Sequence, residues 1–373
     1  MRVVFPYVAQ YHQIFHSLPI AAEMARRHPD VQVSAAGATG AHVEFVRELL
    51  ARHAPDAPVQ VDELKRPFFG HRPAKKRTMA RNLDYLSSFD AIVTPERTSL
   101  FLKKGLGLGL PRLIWTRHGA GDRAIGFADD VDQFDYVLLA GPKIEERLLS
   151  SGLIRPGHYA AGVYAKFDWV PSEPARQQWF DNDRPTVLYN PHFDPGLSSW
   201  PDFGLSVLEQ FAADARYNLI FAPHVRLFDP PNLRKYARFE RFRTCPNVRI
   251  DLGSVHGIDM SYVESADLYL GDVSSQVAEF VSRPRPCLFL DAHRADWQDN
   301  PDYAFWSLGT VLRSPSDLLR QVGEALAGGG LAFRQAQERY AEETFGIARR
   351  GGGSGARGAD AIVEFLREPA FAA

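Results

Sequence analysis

The chain has 373 residues, of which 24% are charged and 45% hydrophobic, a balance that suits a globular protein of about two domains and excludes a disordered or fibrous chain. Its 43 Lys and Arg against 45 Asp and Glu leave a formal net charge of -2, which argues against a dedicated nucleic-acid binder. Two lone cysteines, Cys245 and Cys287, are too few for a disulfide framework or a structural zinc site and fit a reducing compartment.

The opening reads as a β-α-β unit. Val3 to Phe5 is a short apolar strand, His16 to Arg27 carries Leu18, Ile20, Ala21, Met24 and Ala25 at helical spacing, and Val31 to Ala35 is strand-like again. Strands follow at Ala91–Val93, Arg112–Trp115, Tyr136–Leu139 and Tyr159–Gly162. From about Tyr164 to Arg184 the alternation breaks at Pro171 and Pro174, which suits an interdomain linker. A second alternation has strands at Thr186–Tyr189, Leu219–Ala222, Val248–Asp251, Leu268–Leu270 and Pro286–Leu290. Helices are expected at Leu205–Ala215, Met260–Ser265, Ser275–Ser282, Leu318–Ala327 and Ala332–Glu343. Gly351 to Gly358 reads as a glycine-rich loop before a last helix, Ala359–Arg367. The expected fold class is α/β, with two doubly wound Rossmann-like domains facing across a cleft. Their boundaries are placed at 1–170 and 171–350, with 351–373 as the terminal loop and helix. No apolar run approaches the ~18 residues that span a bilayer. The N-terminus lacks a signal peptide's pattern, so a cytoplasmic location is expected.

Four strand ends carry chemistry. The strand Arg112–Trp115 runs into Arg117-His118-Gly119-Ala120-Gly121, followed by Arg123. A histidine at a strand's carboxyl end can serve as general base, glycine permits close substrate approach, and Arg123 can grip a phosphate. The strand Thr186–Tyr189 runs into Asn190-Pro191-His192, where Asn190 and His192 can meet a ligand. The third end, Ala222-Pro223-His224-Val225-Arg226, sets a histidine two residues from an arginine, a pair that suits a phosphoryl group. The fourth, Gly271-Asp272-Val273-Ser274-Ser275, opens a helix bearing Glu279. Hydroxyls at a helix start suit a phosphate, and Glu279 can accept from a ribose hydroxyl. Asp272 or Ser274 can equally cap the helix.

A basic segment spans Lys65, Arg66, Arg72, Lys75, Lys76, Arg77 and Arg81, with Phe68 and Phe69 inside it and no acid between its ends. In a near-neutral chain it forms a local field suited to a phosphate-rich acceptor or an anionic membrane, unless it is simply a solvated loop. His12 and His16 near the first strand are weaker signals, with His12 a candidate cleft residue. Neither a Gly-x-Ser-x-Gly elbow nor a phosphate-binding Gly-Lys-Ser/Thr loop is present.

Taken in order, these motifs resemble the CDP-glycerol glycerophosphotransferase family of teichoic-acid primases and polymerases. The resemblance rests on His118-Gly119 with Arg123 and Ile125-Gly126, on Leu188-Tyr189-Asn190-Pro191, on His224, on Asp272-Val273-Ser274-Ser275 through Glu279-Phe280, and on Arg285-Pro286 through Leu290. It covers about Pro111 to Leu319. Three positions depart from the family pattern: His192 stands where Thr is usual, Val225 where Pro is usual, and Ala120-Gly121 where Thr-Pro is usual. The resemblance implies a GT-B fold, an acceptor-binding first domain and a nucleotide-donor second domain. It implies transfer of glycerol phosphate, or a related polyol phosphate, from a CDP-linked donor to an acceptor hydroxyl, with release of CMP. The acceptor would be phosphate-rich, saccharide or lipid-linked, and the enzyme would work at the inner face of the membrane in envelope or capsule polymer synthesis. His118 and His224 would be catalytic; Gly119, Arg123, Asn190, His192, Arg226, Asp272, Ser274, Ser275 and Glu279 would bind substrate. No cofactor, metal or nucleic acid is expected. A GT-B glycosyltransferase with a nucleotide-sugar donor is the alternative enzyme, and a nucleotide- or polyanion-binding module the non-enzymatic one.

Overall fold

A computed structural model describes residues 1–66, 75–106, 111–121, 127–170, 179–229, 236–328, 331–349 and 352–368. The chain divides into two compact units. The first comprises Met1–Ala120, Ile125–Trp169 and Glu342–Ala373, and the second Gly121–Ala124 and Val170–Ala341.

The first unit is built on β1 (Arg2–Tyr7), β2 (Gln32–Gly37), β3 (Gln60–Glu63), β4 (Ala91–Thr94), β5 (Arg112–Trp115), β6 (Tyr136–Leu138) and β7 (Tyr159–Ala160). They form one parallel sheet in the order β3-β2-β1-β4-β5-β6-β7. Strands β1, β4 and β6 are almost wholly buried, as sequences covered by helices on both faces must be. The strand order reverses between β1 and β4, so the loops after these two strands flank the sheet's switch point, where such folds bind ligands.

The second unit is built on β8 (Thr186–Asn190), β9 (Asn218–Phe221), β10 (Val248–Ile250), β11 (Leu268–Gly271), β12 (Cys287–Leu290) and β13 (Thr310–Leu312). The sheet is again parallel, ordered β10-β9-β8-β11-β12-β13, with its switch point between β8 and β11. Tyr189, Trp200, Phe211, Phe221, Phe228 and Phe239 fill its core. Arg285 ties the sheet's helices together. Its guanidinium donates to the buried carbonyls of Val263 at 2.7 Å, Ala266 at 2.8 Å and Phe280 at 2.8 Å, at the C-terminal ends of two helices.

The chain returns to the first unit at Glu342, before the expected boundary at 350. The final helix, Ser354–Arg367, packs on the helix Leu18–Arg27. It begins inside the stretch expected to be a loop, because the Asp168 carboxylate receives its first amides, Ser354 N at 3.0 Å and Gly355 N at 2.6 Å. A Cβ on Gly355 would lie 2.8 Å from the Pro19 carbonyl, so this glycine sets the distance between the helices. Asp360 accepts from Arg27 at 2.6 Å and pairs with His28 at 2.8 Å, closing the same seam. The expected linker also differs: its first part is a short 3-10 helix, Ala165–Trp169, whose Trp169 stacks on His53 at 4.9 Å.

Candidate functional site

In the first unit the site gathers at the carboxyl ends of β1, β4 and β5. The chain leaves β5 with Arg117 at φ 40° and Gly119 at φ 81°, which turns His118 out at the sheet edge. A positive φ at a bulky arginine is a strained position, held here by stacking of Arg117 over Trp115 and Phe127. His118 Nδ1 lies 2.9 Å from the Pro95 carbonyl oxygen. A carbonyl only accepts, so Nδ1 carries the proton and Nε2 carries the basic lone pair.

Beside His118 is a polar cluster that the strand-end motifs do not reveal. Glu96, 5% exposed, comes two residues after β4. Its Oε1 accepts from Gln13 Nε2 at 2.6 Å and from Lys75 Nζ at 2.8 Å, and its Oε2 accepts from Thr98 at 3.2 Å. Burial pushes the Glu96 carboxyl up, and the Lys75 and Gln13 bonds outweigh it, leaving the group below the ordinary carboxylate value. Desolvation lowers His118 below the ordinary imidazole value; the Pro95 bond and Glu96 oppose it, and Lys75 and Arg117 add to it. The ring of His12 lies 6.0 Å from that of His118. His16 is buried against Tyr164, and burial together with the fields of Lys166, His118 and His12 keeps it neutral. The position of Glu96 just past β4, at the switch point, is a signal present in the sequence; Lys75 reaches it only through the tertiary fold.

That pairing corrects the expected basic field. Lys75 is neutralised by Glu96, and Arg66 pairs with Glu63 at 3.1 Å. Lys76 and Arg77 stay exposed on the helix Lys75–Arg81. Phe68, Phe69 and Arg72 lie outside the described residues, as does Arg123.

In the second unit β8, β9 and β11 deliver their ends to one place. Asn190 donates to the Ala222 carbonyl at 2.6 Å, and its Oδ1 accepts from Ser274 at 2.9 Å and Tyr269 at 3.3 Å, which locks three loops together. Asp272 is fully buried; it accepts from His192 N at 2.8 Å, Ser199 N at 2.6 Å and Ser199 Oγ at 2.9 Å. Burial pushes its pKa up to about 6 against these bonds. Both Asp272 oxygens are thus engaged by the loop after β8 and hold the His192 backbone in place. Glu279, 3% exposed, sits on the buried helix Gln276–Val281.

The rings that follow β8 and β9 form a stack. Phe193 lies 4.3 Å from His192 and 4.6 Å from His224, and the Arg226 guanidinium sits over Phe193 at 3.9 Å. His224 Nδ1 accepts from the Arg226 amide at 3.1 Å, and His192 Nδ1 accepts from the Asp194 amide at 3.1 Å. In each neutral ring the proton therefore sits on Nε2. Desolvation, with the fields of His192 and Arg226, lowers His224 to about 3, so it is a neutral N–H donor at physiological pH. Ser275 is exposed at the start of the helix, and its hydroxyl caps nothing.

Similarity to solved structures bears on the fold. The wall teichoic acid polymerase TagF, in a form soaked with CDPG, aligns at TM-score 0.66 with 15% identity, covering 98% of this chain and 89% of that one. A UDP-N-acetylglucosamine 2-epimerase from Listeria monocytogenes aligns at 0.65 with 14% identity over 98% and 97%. The UDP-GlcNAc 2-epimerase of Neisseria meningitidis, bound to UDP-GlcNAc, aligns at 0.58 with 14% identity over 98% and 99%. The fold is GT-B. No family model matches the sequence, and no curated relative matches it. Within this GT-B chain, no helix among the described residues is long and apolar enough to cross a membrane.

Proposed function

We propose that this protein is a transferase that moves a polyol phosphate, glycerol phosphate first among the candidates, from a CDP-linked donor to an acceptor hydroxyl in cell-envelope polymer synthesis. The observation that carries the reading is the protonation pattern of the histidines. Nδ1 of His118 is committed to Pro95, which leaves Nε2 as a base, while His224 presents a neutral donor at Nε2. Resemblance of the strand-end motifs to the glycerophosphotransferases and the GT-B fold shared with TagF support the same chemistry.

The first unit takes the acceptor and the second the donor. His118 Nε2 accepts the proton of the acceptor hydroxyl as its oxygen attacks the donor's β-phosphorus. The new P–O bond forms as the bond to the bridging oxygen breaks, and CMP leaves with that oxygen. Nε2–H of His224 and His192 and the charge of Arg226 and Arg123 stabilise the phosphoryl oxygens. Ser274, Ser275 and Glu279 hold the nucleotide, and Lys76 and Arg77 meet phosphate on the acceptor. Asp272 and Asn190 contribute by holding the loops in register.

The epimerase neighbours favour a second reading, a GT-B enzyme acting on a nucleotide sugar. A thermal-shift panel of CDP, CMP, UDP and GDP compounds separates them. Stabilisation by cytidine nucleotides supports the proposal; stabilisation by UDP alone favours the nucleotide-sugar reading.

A further inference from the structure

Among the described residues, four large apolar side chains stand exposed, Tyr11, Leu205, Leu331 and Ile347, and Tyr11 is the one aromatic ring of the four. It comes after β1 at the carboxyl edge of the first sheet, next in sequence to His12, whose ring is 6.0 Å from the His118 ring. The Tyr11 ring lies on the His42 imidazole, with centroids 4.7 Å apart and planes 19° from parallel. Phe45 meets it edge-on at 5.2 Å and is itself backed by Phe15 at 6.0 Å.

The support beneath Tyr11 is rigid. His42 Nε2 lies 2.8 Å from the Ala9 carbonyl and so donates to it, and its Nδ1 accepts from the Thr39 hydroxyl at 2.8 Å. With both ring nitrogens engaged, His42 is fixed in one orientation and serves as a base plate for the tyrosine. Burying one face of an aromatic ring on a fixed plate while 37% of the residue stays exposed prepares the other face for an apolar partner. Beside the plate, Arg66 comes within 3.7 Å of the position of a Cβ at Gly40, two residues before His42, and its side chain is 63% exposed. An aromatic face next to a polar, charged rim suits a ligand with an apolar face and polar edges. The C–H face of a pyranose ring is such a ligand, and a linear polyol is not.

We propose that Tyr11 is the stacking platform for a sugar ring at the reacting end of the acceptor, which makes it a specificity-determining residue for saccharide acceptors. This rests on the transfer reading in placing the acceptor in the first unit, but its test does not require turnover.

Saturation-transfer NMR with methyl pyranosides, and with glycerol 3-phosphate as the linear control, reads it directly on the wild type, Tyr11→Ala and Tyr11→Phe. Wild type and Tyr11→Phe should saturate the pyranoside ring protons, and Tyr11→Ala should bind roughly tenfold more weakly. Glycerol 3-phosphate should show equal signals in all three. Equal pyranoside binding in wild type and Tyr11→Ala, or none in wild type, overturns the proposal. Failure of the transfer reading shows elsewhere, as absence of CMP release from a CDP-linked donor.

Discussion

His118 and His224 hold opposite tautomers: Nδ1 of His118 donates to the Pro95 carbonyl at 2.9 Å, whereas Nδ1 of His224 accepts from the Arg226 amide at 3.1 Å. One backbone bond at each ring leaves the lone pair on Nε2 of His118 and the proton on Nε2 of His224.

If His118 is the base, replacing it with Ala lowers kcat by about 10²–10⁴ and leaves donor binding near normal. In the wild type, kcat/KM should rise with pH as His118 loses its proton, with a midpoint below the ordinary imidazole value because the site desolvates the ring. That acid limb should vanish from the residual activity of His118→Ala. It should persist in His224→Gln, whose amide keeps a donor near the place of Nε2, while His224→Ala loses more activity than His224→Gln.

The Glu96–Lys75 pair tunes that limb. Glu96 raises the affinity of His118 for its proton, and Lys75 lowers it. Glu96→Gln should therefore move the limb to lower pH, and Lys75→Met should move it to higher pH. A structural role alone would shift both variants the same way, or neither.

Asp272 is the pin of the second unit. An amide at this position presents an N–H to the amide of His192 or of Ser199, so Asp272→Asn should cost about 2 kcal/mol in denaturant unfolding at pH 7. With its folded pKa raised to about 6, the wild-type carboxyl contributes stability that is full at low pH and is lost as pH rises through about 6. The deficit of the variant should therefore be larger at pH 4 than at pH 7.

Arg285 makes a comparable test of the fold. Burial brings its pKa down to about 9, so it stays charged at neutral pH. Arg285→Met leaves the carbonyls of Val263, Ala266 and Phe280 without this donor and should cost about 3–5 kcal/mol. Arg285→Lys should recover little, since a single ammonium cannot span carbonyls on two helix ends.

Central strands are legible in the sequence because burial on both faces forces continuous apolar runs, as at Val187–Tyr189 and Leu268–Leu270. Edge strands are not: Gln60–Glu63 and Thr310–Leu312 are only partly covered, and the first has a polar sequence that pairing with β2 alone makes a strand. The helix beginning at Ser354 is hidden behind glycines that look like a loop in sequence and that here permit contact with Pro19. At the candidate site, the histidines are visible as strand-end residues. Glu96 and Lys75 are not visible as a pair, since they are distant in sequence and only folding joins them. Asp272 and Asn190 show the converse, polar strand-end residues whose hydrogen bonds are consumed by neighbouring loops.

Which bond of the donor breaks is read from the products by 31P NMR. Incubated with CDP-glycerol and a saccharide-terminated acceptor, the wild-type protein should release CMP in step with a new acceptor phosphodiester, and His118→Ala should release almost none. Release of a nucleoside diphosphate from a nucleotide sugar, with CDP-glycerol left intact, would mean that a sugar and not a polyol phosphate is transferred.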